Sequence, residues 1–209
     1  MDAEFPIESA PKHHALLGLL LFTLTVFNMT VYGFVLVSVK EISKKQSTFI
    51  LLFSHGMADM GVMAQLVWIS IEIITYSRVP VPWYLDNVLL KTFFKASNYH
   101  FIVIAINRAH CILFPMSYAT IWKQKVFMAA CILCWACGLT EALCYTYAVK
   151  VDPRAFIIHN LERMTFSRLR WDVEGADFLN KAEMYYYLCI VILAIIIYLL
   201  VLIKLLLAK

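Results

Sequence analysis

The chain contains 209 residues, of which 62% are apolar or aromatic and 15% are charged, and its formal net charge is +4. Soluble globular domains are about 45–50% apolar and about 25% charged, so this composition excludes an ordinary soluble domain and indicates a membrane protein. The basic residues are dispersed, without a run of five or more, so we expect the lipid bilayer, and no nucleic acid, as a partner.

Residues 1–14 are predicted to form an extracellular N-terminus. They carry Asp2, Glu4 and Glu8 and therefore lack the basic start of a signal peptide. The remaining chain, 15–209, is predicted to be one transmembrane domain, because it holds five apolar segments that each exceed the roughly 20 residues a helix needs to cross a bilayer. The predicted spans are Ala15–Val39, Phe49–Tyr76, Asn87–Leu113, Val126–Val149 and Tyr185–Leu207. Backbone groups find no water partner in lipid, so the predicted fold class is an all-α membrane protein, a five-helix transmembrane bundle.

The connections between the spans predict the orientation of the chain. The first connection, Lys40–Lys45, holds three basic residues, and the third, Ser117–Lys125, reaches three when Arg108 just before it is counted. The second connection, Arg78–Trp83, holds one. The positive-inside rule therefore places the first and third connections and the C-terminus in the cytoplasm, with the N-terminus outside.

The fourth connection, Lys150–Glu183, is an external loop of 34 residues in this topology. Within it Leu169, Trp171 and Val173 alternate with charged residues, and Glu174–Gly175 follows as a turn signal. This pattern favours a short external β-hairpin with one apolar face. A disordered loop is the alternative.

The cysteines do not indicate disulfides, because all six lie within or at the edges of apolar segments. Cys131, Cys134 and Cys137 form a C-x-x-C-x-x-C run that could hold a metal. No second ligand cluster accompanies the run, so small residues that let helices approach closely explain it better, and no metal or cofactor is expected. Motifs such as H-E-x-x-H, G-x-S-x-G and G-K-[ST] are absent from the sequence, so we assign no catalytic residue and predict that the protein is not an enzyme.

A polar site is predicted inside the membrane around Asp59, near the middle of the second span. A charge there costs about 2.5–3.5 kcal/mol on insertion scales, so it normally faces the interior of a bundle. His55 lies one turn earlier on the same face, and Asn28 in the first span can hydrogen-bond to Asp59. The site either binds an ion or a proton, or joins the helices through hydrogen bonds.

A second polar group is predicted near the outer ends of the spans. Lys91 and Lys95 are four residues apart on the third span, and Glu72 and Glu141 lie in the outer halves of the second and fourth. The acids could pair with the lysines and line a pocket open to the outside; alternatively, the lysines extend to the lipid headgroups. The candidate ligand pocket is Glu72, Lys91, Phe94, Lys95, Asn98 and Glu141.

The end of the third span carries a recognisable motif. Residues 105–118 read AINRAHCILFPMSY, which resembles the D-R-Y-x-x-x-x-x-P-x-x-Y signature of rhodopsin-like G-protein-coupled receptors. Arg108, Pro115 and Tyr118 match it, and Asn107 replaces the acid. Asn107 can offer only a neutral hydrogen bond where relatives form an ion pair. Further landmarks of that family have counterparts here in Asn28, Asp59 and Trp135.

A closer resemblance is to nematode serpentine chemoreceptors, especially the superfamily that contains the gamma class. Their phrase A-S-N-x-x-H-x-x-I-A-I-N-R, ending in I-W, has its counterpart in Ala96–Trp122. The resemblance implies a chemosensory receptor in the plasma or ciliary membrane that binds a small ligand between the outer halves of its helices. It also implies that a heterotrimeric G protein reads the change at the coupling motif Asn107, Arg108, Pro115 and Tyr118.

Such receptors have seven helices, whereas five are predicted here. The resemblance therefore implies a partial seven-helix GPCR-like fold, and we expect an incomplete receptor whose activity as this chain alone is in question. The alternative is a transporter or channel component, in which the intramembrane polar residues line a path.

Overall fold

A computed structural model describes residues 13–77, 83–149, 157–160, 165–168 and 176–207. These residues form six α-helices and two short strands. In chain order the elements are α1 (His14–Ser43), α2 (Thr48–Thr75), α3 (Trp83–Leu113), α4 (Pro115–Ile121), α5 (Gln124–Val149), β1 (Ile157–Asn160), β2 (Thr165–Arg168) and α6 (Ala176–Leu207). The five long helices pack side by side, so the all-helical membrane bundle predicted from the composition is confirmed.

Among the described residues, four helices are long and apolar enough to cross a membrane. They are α1, α2, α5 over Gln124–Tyr147 and α6 over Met184–Lys204. The remaining long helix, α3, has 31 residues but is more polar. It packs against α2, α5 and α6, so polar side chains such as Lys95 and Asn107 meet protein instead of lipid. The predicted third span is therefore less apolar than the other four, because α3 is the central helix of the bundle.

Several helices extend beyond the predicted spans. The helix α3 begins at Trp83, four residues before the predicted span, and α6 begins at Ala176, nine residues before it. An apolar run marks only the part of a helix that meets lipid, whereas the backbone hydrogen bonds continue into water. The short helix α4 lies where a connection was predicted, and Pro115 begins it, since the first helical position needs no N–H donor.

The fourth connection contains an antiparallel hairpin. Strand β1 pairs with β2, with Ile157 opposite Arg168 and Asn160 opposite Thr165. This hairpin lies earlier in the loop than the predicted one, whose Leu169–Gly175 stretch is outside the described residues. Residues 1–12 of the predicted N-terminus and residues 78–82 of the second connection are outside them too.

Small residues form the contacts between the helices. Ala58, Ala96 and Ala142 are completely buried, whereas large side chains such as Phe34 and Leu133 are exposed on the outside of the bundle. Lipid chains solvate those outer side chains as well as protein does, so membrane helices associate through small residues that permit close packing. The outward apolar surface of this bundle is therefore the one expected against lipid.

A close backbone contact joins α3 and α5 at Gly138. A Cβ atom added at Gly138 would lie 2.9 Å from the backbone nitrogen of Ala96 and 3.0 Å from the carbonyl oxygen of Thr92. At Gly33 on α1 the same atom would meet nothing within 4 Å. Gly138 thus permits a backbone contact that no larger residue allows.

The first two cysteines of the C-x-x-C-x-x-C run in α5 face the core of the bundle. Cys131 and Cys134 are buried, and Cys131 packs with Leu51 and Phe127 in one apolar cluster. The Cys131 thiol also lies 3.9 Å from the carbonyl oxygen of Ile50. Cys131 therefore joins α5 to α2 as a packing residue.

Candidate functional site

Polar side chains of α3 take part in three groups along the length of the bundle. The lysine cluster consists of Lys91, Lys95, Tyr99, Glu141, Tyr145, Tyr186 and Tyr187. The aspartate cluster consists of Tyr32, Ser54, His55, Asp59, Ser97, His100 and Trp135. The asparagine cluster consists of Thr48, Asn107, His110, Ser117, Tyr118 and Trp122.

An ion pair between α3 and α5 forms the centre of the lysine cluster. The ammonium of Lys95 lies 2.5 Å from Oε1 of Glu141, and the hydroxyl of Tyr99 donates to Oε2 of Glu141 at 3.0 Å. The side chain of Lys95 is 3% exposed and that of Glu141 is 37% exposed. The cation is therefore the buried partner, and the carboxylate lies nearer the surface of the bundle.

Tyrosine rings surround both lysines of this cluster. The Lys95 ammonium lies 4.6 Å and 4.8 Å from the ring centres of Tyr186 and Tyr187 on α6, and the Lys91 ammonium lies 3.6 Å from the ring centre of Tyr145 on α5. The negative face of an aromatic ring stabilises a cation at such distances. Both lysines are buried, so the structure places them inside the bundle.

The other predicted pocket residues differ in their contacts. The ring of Phe94 meets Tyr187 edge to face, with 5.5 Å between their centres, and so borders the lysine cluster. The amide of Asn98 donates at 2.8 Å to the Phe94 carbonyl within α3, and Glu72 accepts a hydrogen bond of 3.3 Å from Trp68 within α2. The hydrogen bond of Asn98 thus stays within α3.

The aspartate cluster joins three helices through one carboxylate. Asp59 accepts a hydrogen bond of 3.0 Å from Tyr32 on α1 and one of 2.6 Å from Ser97 on α3. Nε2 of His55, one turn before Asp59 on α2, lies 3.5 Å from the carboxylate. Asn28 was the expected α1 partner, but it is exposed one turn before Tyr32, whose longer side chain reaches Asp59 instead.

A second part of this cluster fixes the protonation of His100, which is completely buried. Nδ1 of His100 lies 2.7 Å from the carbonyl oxygen of Ala96, which can only accept, so Nδ1 carries the proton. Nε2 then accepts from the hydroxyl of Ser54 at 2.8 Å, and Ser54 in turn accepts from the indole of Trp135 at 3.0 Å. Every polar group in this chain of hydrogen bonds is satisfied with a neutral imidazole.

The asparagine cluster ties α4 to the end of α3. The buried amide of Asn107 donates to the hydroxyl of Tyr118 at 3.3 Å, and that hydroxyl lies 3.3 Å from Oγ1 of Thr48 on α2. The neighbouring Arg108 is exposed. A neutral amide thus holds the middle of α4 near α2, and the guanidinium of Arg108 lies on the surface at this end of the bundle.

His110 adds a contact that the sequence did not reveal. The indole of Trp122 donates to Nδ1 of His110 at 2.7 Å, so Nδ1 is the acceptor and Nε2 donates to Ser117 at 2.9 Å. Ser117 lies within α4 and Trp122 directly follows it. His110 therefore fixes both ends of this short helix against α3.

Sequence reasoning also missed the tyrosines of the lysine cluster. Tyr99 follows Lys91 and Lys95 at the same four-residue spacing, so helical periodicity alone could have placed it on their face. Tyr186 and Tyr187 begin the last apolar segment, but which helix they face depends on the rotation of α6. No feature of a single sequence reports that rotation.

Comparison with known proteins gives one family match. Residues 22–209 match a family model described as serpentine type 7TM GPCR chemoreceptor Srx. No curated protein matches the chain. The matched residues include all three polar clusters and the N-R motif of Asn107 and Arg108.

Proposed function

Because the chain belongs to the Srx family of serpentine type 7TM GPCR chemoreceptors, we propose that it detects a small ligand at the lysine cluster and passes the change to a heterotrimeric G protein at Arg108. The observation that carries this proposal is that α3 bears the lysine cluster and, several turns later, the asparagine cluster. One rigid helix therefore connects the candidate ligand site to the candidate coupling site.

The mechanism requires that the ligand bind one arrangement of the bundle better than another. Lys95 on α3 is held by Glu141 on α5 and by two rings on α6, so a ligand among these groups changes what holds α3 in place. A shift of α3 moves Asn107 relative to Tyr118, and with them the surface around Arg108. The two sites are thereby coupled in both directions.

Replacement of Arg108 with Ala tests this assignment. Reporter cells that express the chain and a G protein would be exposed to a panel of short-chain acids, alcohols, ketones and esters. We expect Arg108→Ala to reduce the nucleotide-exchange response at least tenfold while ligand binding to membranes is unchanged, because the substitution is remote from the lysine cluster. Lys125→Ala removes an exposed charge from the start of α5 and serves as the control. An equal response of wild type and Arg108→Ala would contradict the proposal.

We propose that the N-terminus and the loop 150–183 lie outside the cell, with the C-terminus in the cytoplasm. The basic first and third connections support this orientation. Epitope tags at the N-terminus and in the loop are expected to bind antibody on intact cells, whereas a C-terminal tag is expected to need permeabilisation. A C-terminal tag that is stained on intact cells would refute this orientation.

We also propose that the aspartate cluster takes up a sodium ion or a proton, since a carboxylate shared by three helices can bias how they pack. If so, sodium should raise the thermal midpoint of the purified protein by several degrees relative to choline at equal ionic strength, because ligands stabilise the state that binds them. Asp59→Asn is expected to abolish this increase. Ser97→Ala, which removes one hydrogen bond but keeps the carboxylate, should retain it. If Asp59→Asn leaves the sodium effect unchanged, the cluster serves only to join α1, α2 and α3.

A further inference from the structure

We propose that the lysine cluster recognises ligands that carry a carboxylate group, and that the ligand's carboxylate takes the place of Glu141 beside Lys95. This inference rests on the proposed function, because it specifies the class of ligand for the same cluster. The ligand would be a small amphipathic acid, with one carboxylate and a short apolar body.

The unequal burial of the ion pair supports an exchange of anions. Lys95 is 3% exposed and lies under two tyrosine rings, whereas the side chain of Glu141 is 37% exposed. Glu141 is the accessible partner that an incoming group can reach and displace, whereas Lys95 cannot leave the bundle without losing its ring contacts. A buried ammonium that loses its counter-ion is strongly destabilised, so the group that replaces Glu141 has to be an anion.

The donors of the site suit a carboxylate. Lys95 and Tyr99 both belong to α3 and both contact Glu141, one carboxylate oxygen each. A ligand carboxylate in the same position would accept the same two hydrogen bonds. Glu141 belongs to α5, so the exchange satisfies the donors of α3 and removes the ion pair that joins α3 to α5.

The apolar body of the ligand has a surface to meet beside these donors. Phe94 and Tyr187 form an edge-to-face pair next to Lys95, and the ring of Phe94 is exposed. Aromatic faces of this kind bury the methylene groups of a short chain, and each buried group adds to the affinity. A neutral ligand would bury the same methylenes, but it would leave the ion pair of Lys95 and Glu141 closed.

Binding of hexanoate and of hexan-1-ol to the chain in lipid nanodiscs tests the proposal, since the two probes differ only in the carboxylate. Wild type is expected to bind hexanoate in a saturable manner and at least tenfold more tightly than hexan-1-ol. Glu141→Gln removes the competing internal anion and should tighten hexanoate binding about tenfold. Lys95→Gln should weaken it at least tenfold. Glu41→Gln serves as the matched control, because Glu41 forms an exposed ion pair with Lys44 on α1, and it should change neither affinity.

A double variant that lacks both charges controls for misfolding caused by the unpaired charge in each single variant. Lys95→Gln/Glu141→Gln removes both charges of the ion pair and should bind the two probes with equal affinity. Equal affinities in wild type, or hexanoate selectivity that survives in the double variant, would overturn the proposal. Tight binding of hexan-1-ol that is independent of Lys95 would also overturn it, yet the receptor role tested with Arg108→Ala would stand.

Discussion

Replacement of Glu141 with Leu is expected to lower the free energy of unfolding by about 3 kcal/mol, because it removes the carboxylate beside the buried ammonium of Lys95. The exposed ion pair of Lys44 and Glu41 offers the control, since exposed ion pairs contribute about 0–1 kcal/mol to the free energy of unfolding. Glu41→Leu should therefore leave stability nearly unchanged. Denaturation of the purified variants in mixed micelles measures both effects.

The double variant Lys95→Met/Glu141→Leu separates the charge from the packing. Removing both partners of a buried ion pair is often neutral when apolar groups of similar volume replace them. The double variant should therefore recover most of the stability that Glu141→Leu loses. If the two substitutions destabilise additively, the ion pair contributes little, and the contacts across α3 and α5 are held by packing alone.

The substitution Gly138→Ala is expected to destabilise the bundle by about 1–3 kcal/mol, the usual cost of an extra carbon in a well-packed core. The added Cβ would lie 2.9–3.0 Å from backbone atoms of Ala96 and Thr92, which cannot move as a flexible side chain could. Gly33→Ala adds the same atom in open space and should stabilise α1 by up to about 1 kcal/mol, because alanine is the better helix former.

Thermal midpoints of the two glycine variants in detergent test this pair of predictions. The two changes in stability are expected to have opposite signs. This difference in sign is the test, since both substitutions change helix propensity equally. If Gly138→Ala is as stable as Gly33→Ala, the close contact of α3 and α5 does not exist in the membrane-embedded protein. If both destabilise equally, the exposed face of α1 at Gly33 is covered by a partner.

The apolar segments predicted the bundle because exclusion of polar backbone from lipid leaves only the helix as a spanning form. The extension of α6 back to Ala176 and the helix at Pro115–Ile121 were not predicted. Both lie outside the long apolar runs, where the hydrophobic signal ends. The short helix depends on contacts such as those of His110 with Trp122 and Ser117, which join residues on different elements.

The charged members of the clusters could be selected from the sequence, since Asp59 and Lys95 are costly in lipid and have to face protein. Their neutral partners could not. Tyr32 contacts Asp59 across 27 positions of sequence and Tyr186 covers Lys95 across many more, so each pairing depends on the rotation and relative depth of two helices. Asn28 is the polar residue of the first span that the sequence offers to Asp59, but the rotation of α1 places Tyr32 there.

The hydrogen bonds that hold α4 in place predict how the protein responds to salt. Tyr118 is held by Asn107 and Thr48 through hydrogen bonds between uncharged groups. Dissolved ions weaken attraction between charges but have little effect on dipoles at contact distance. The position of α4 should accordingly be the same in dilute and in concentrated salt, unlike that of a helix held by exposed paired charges.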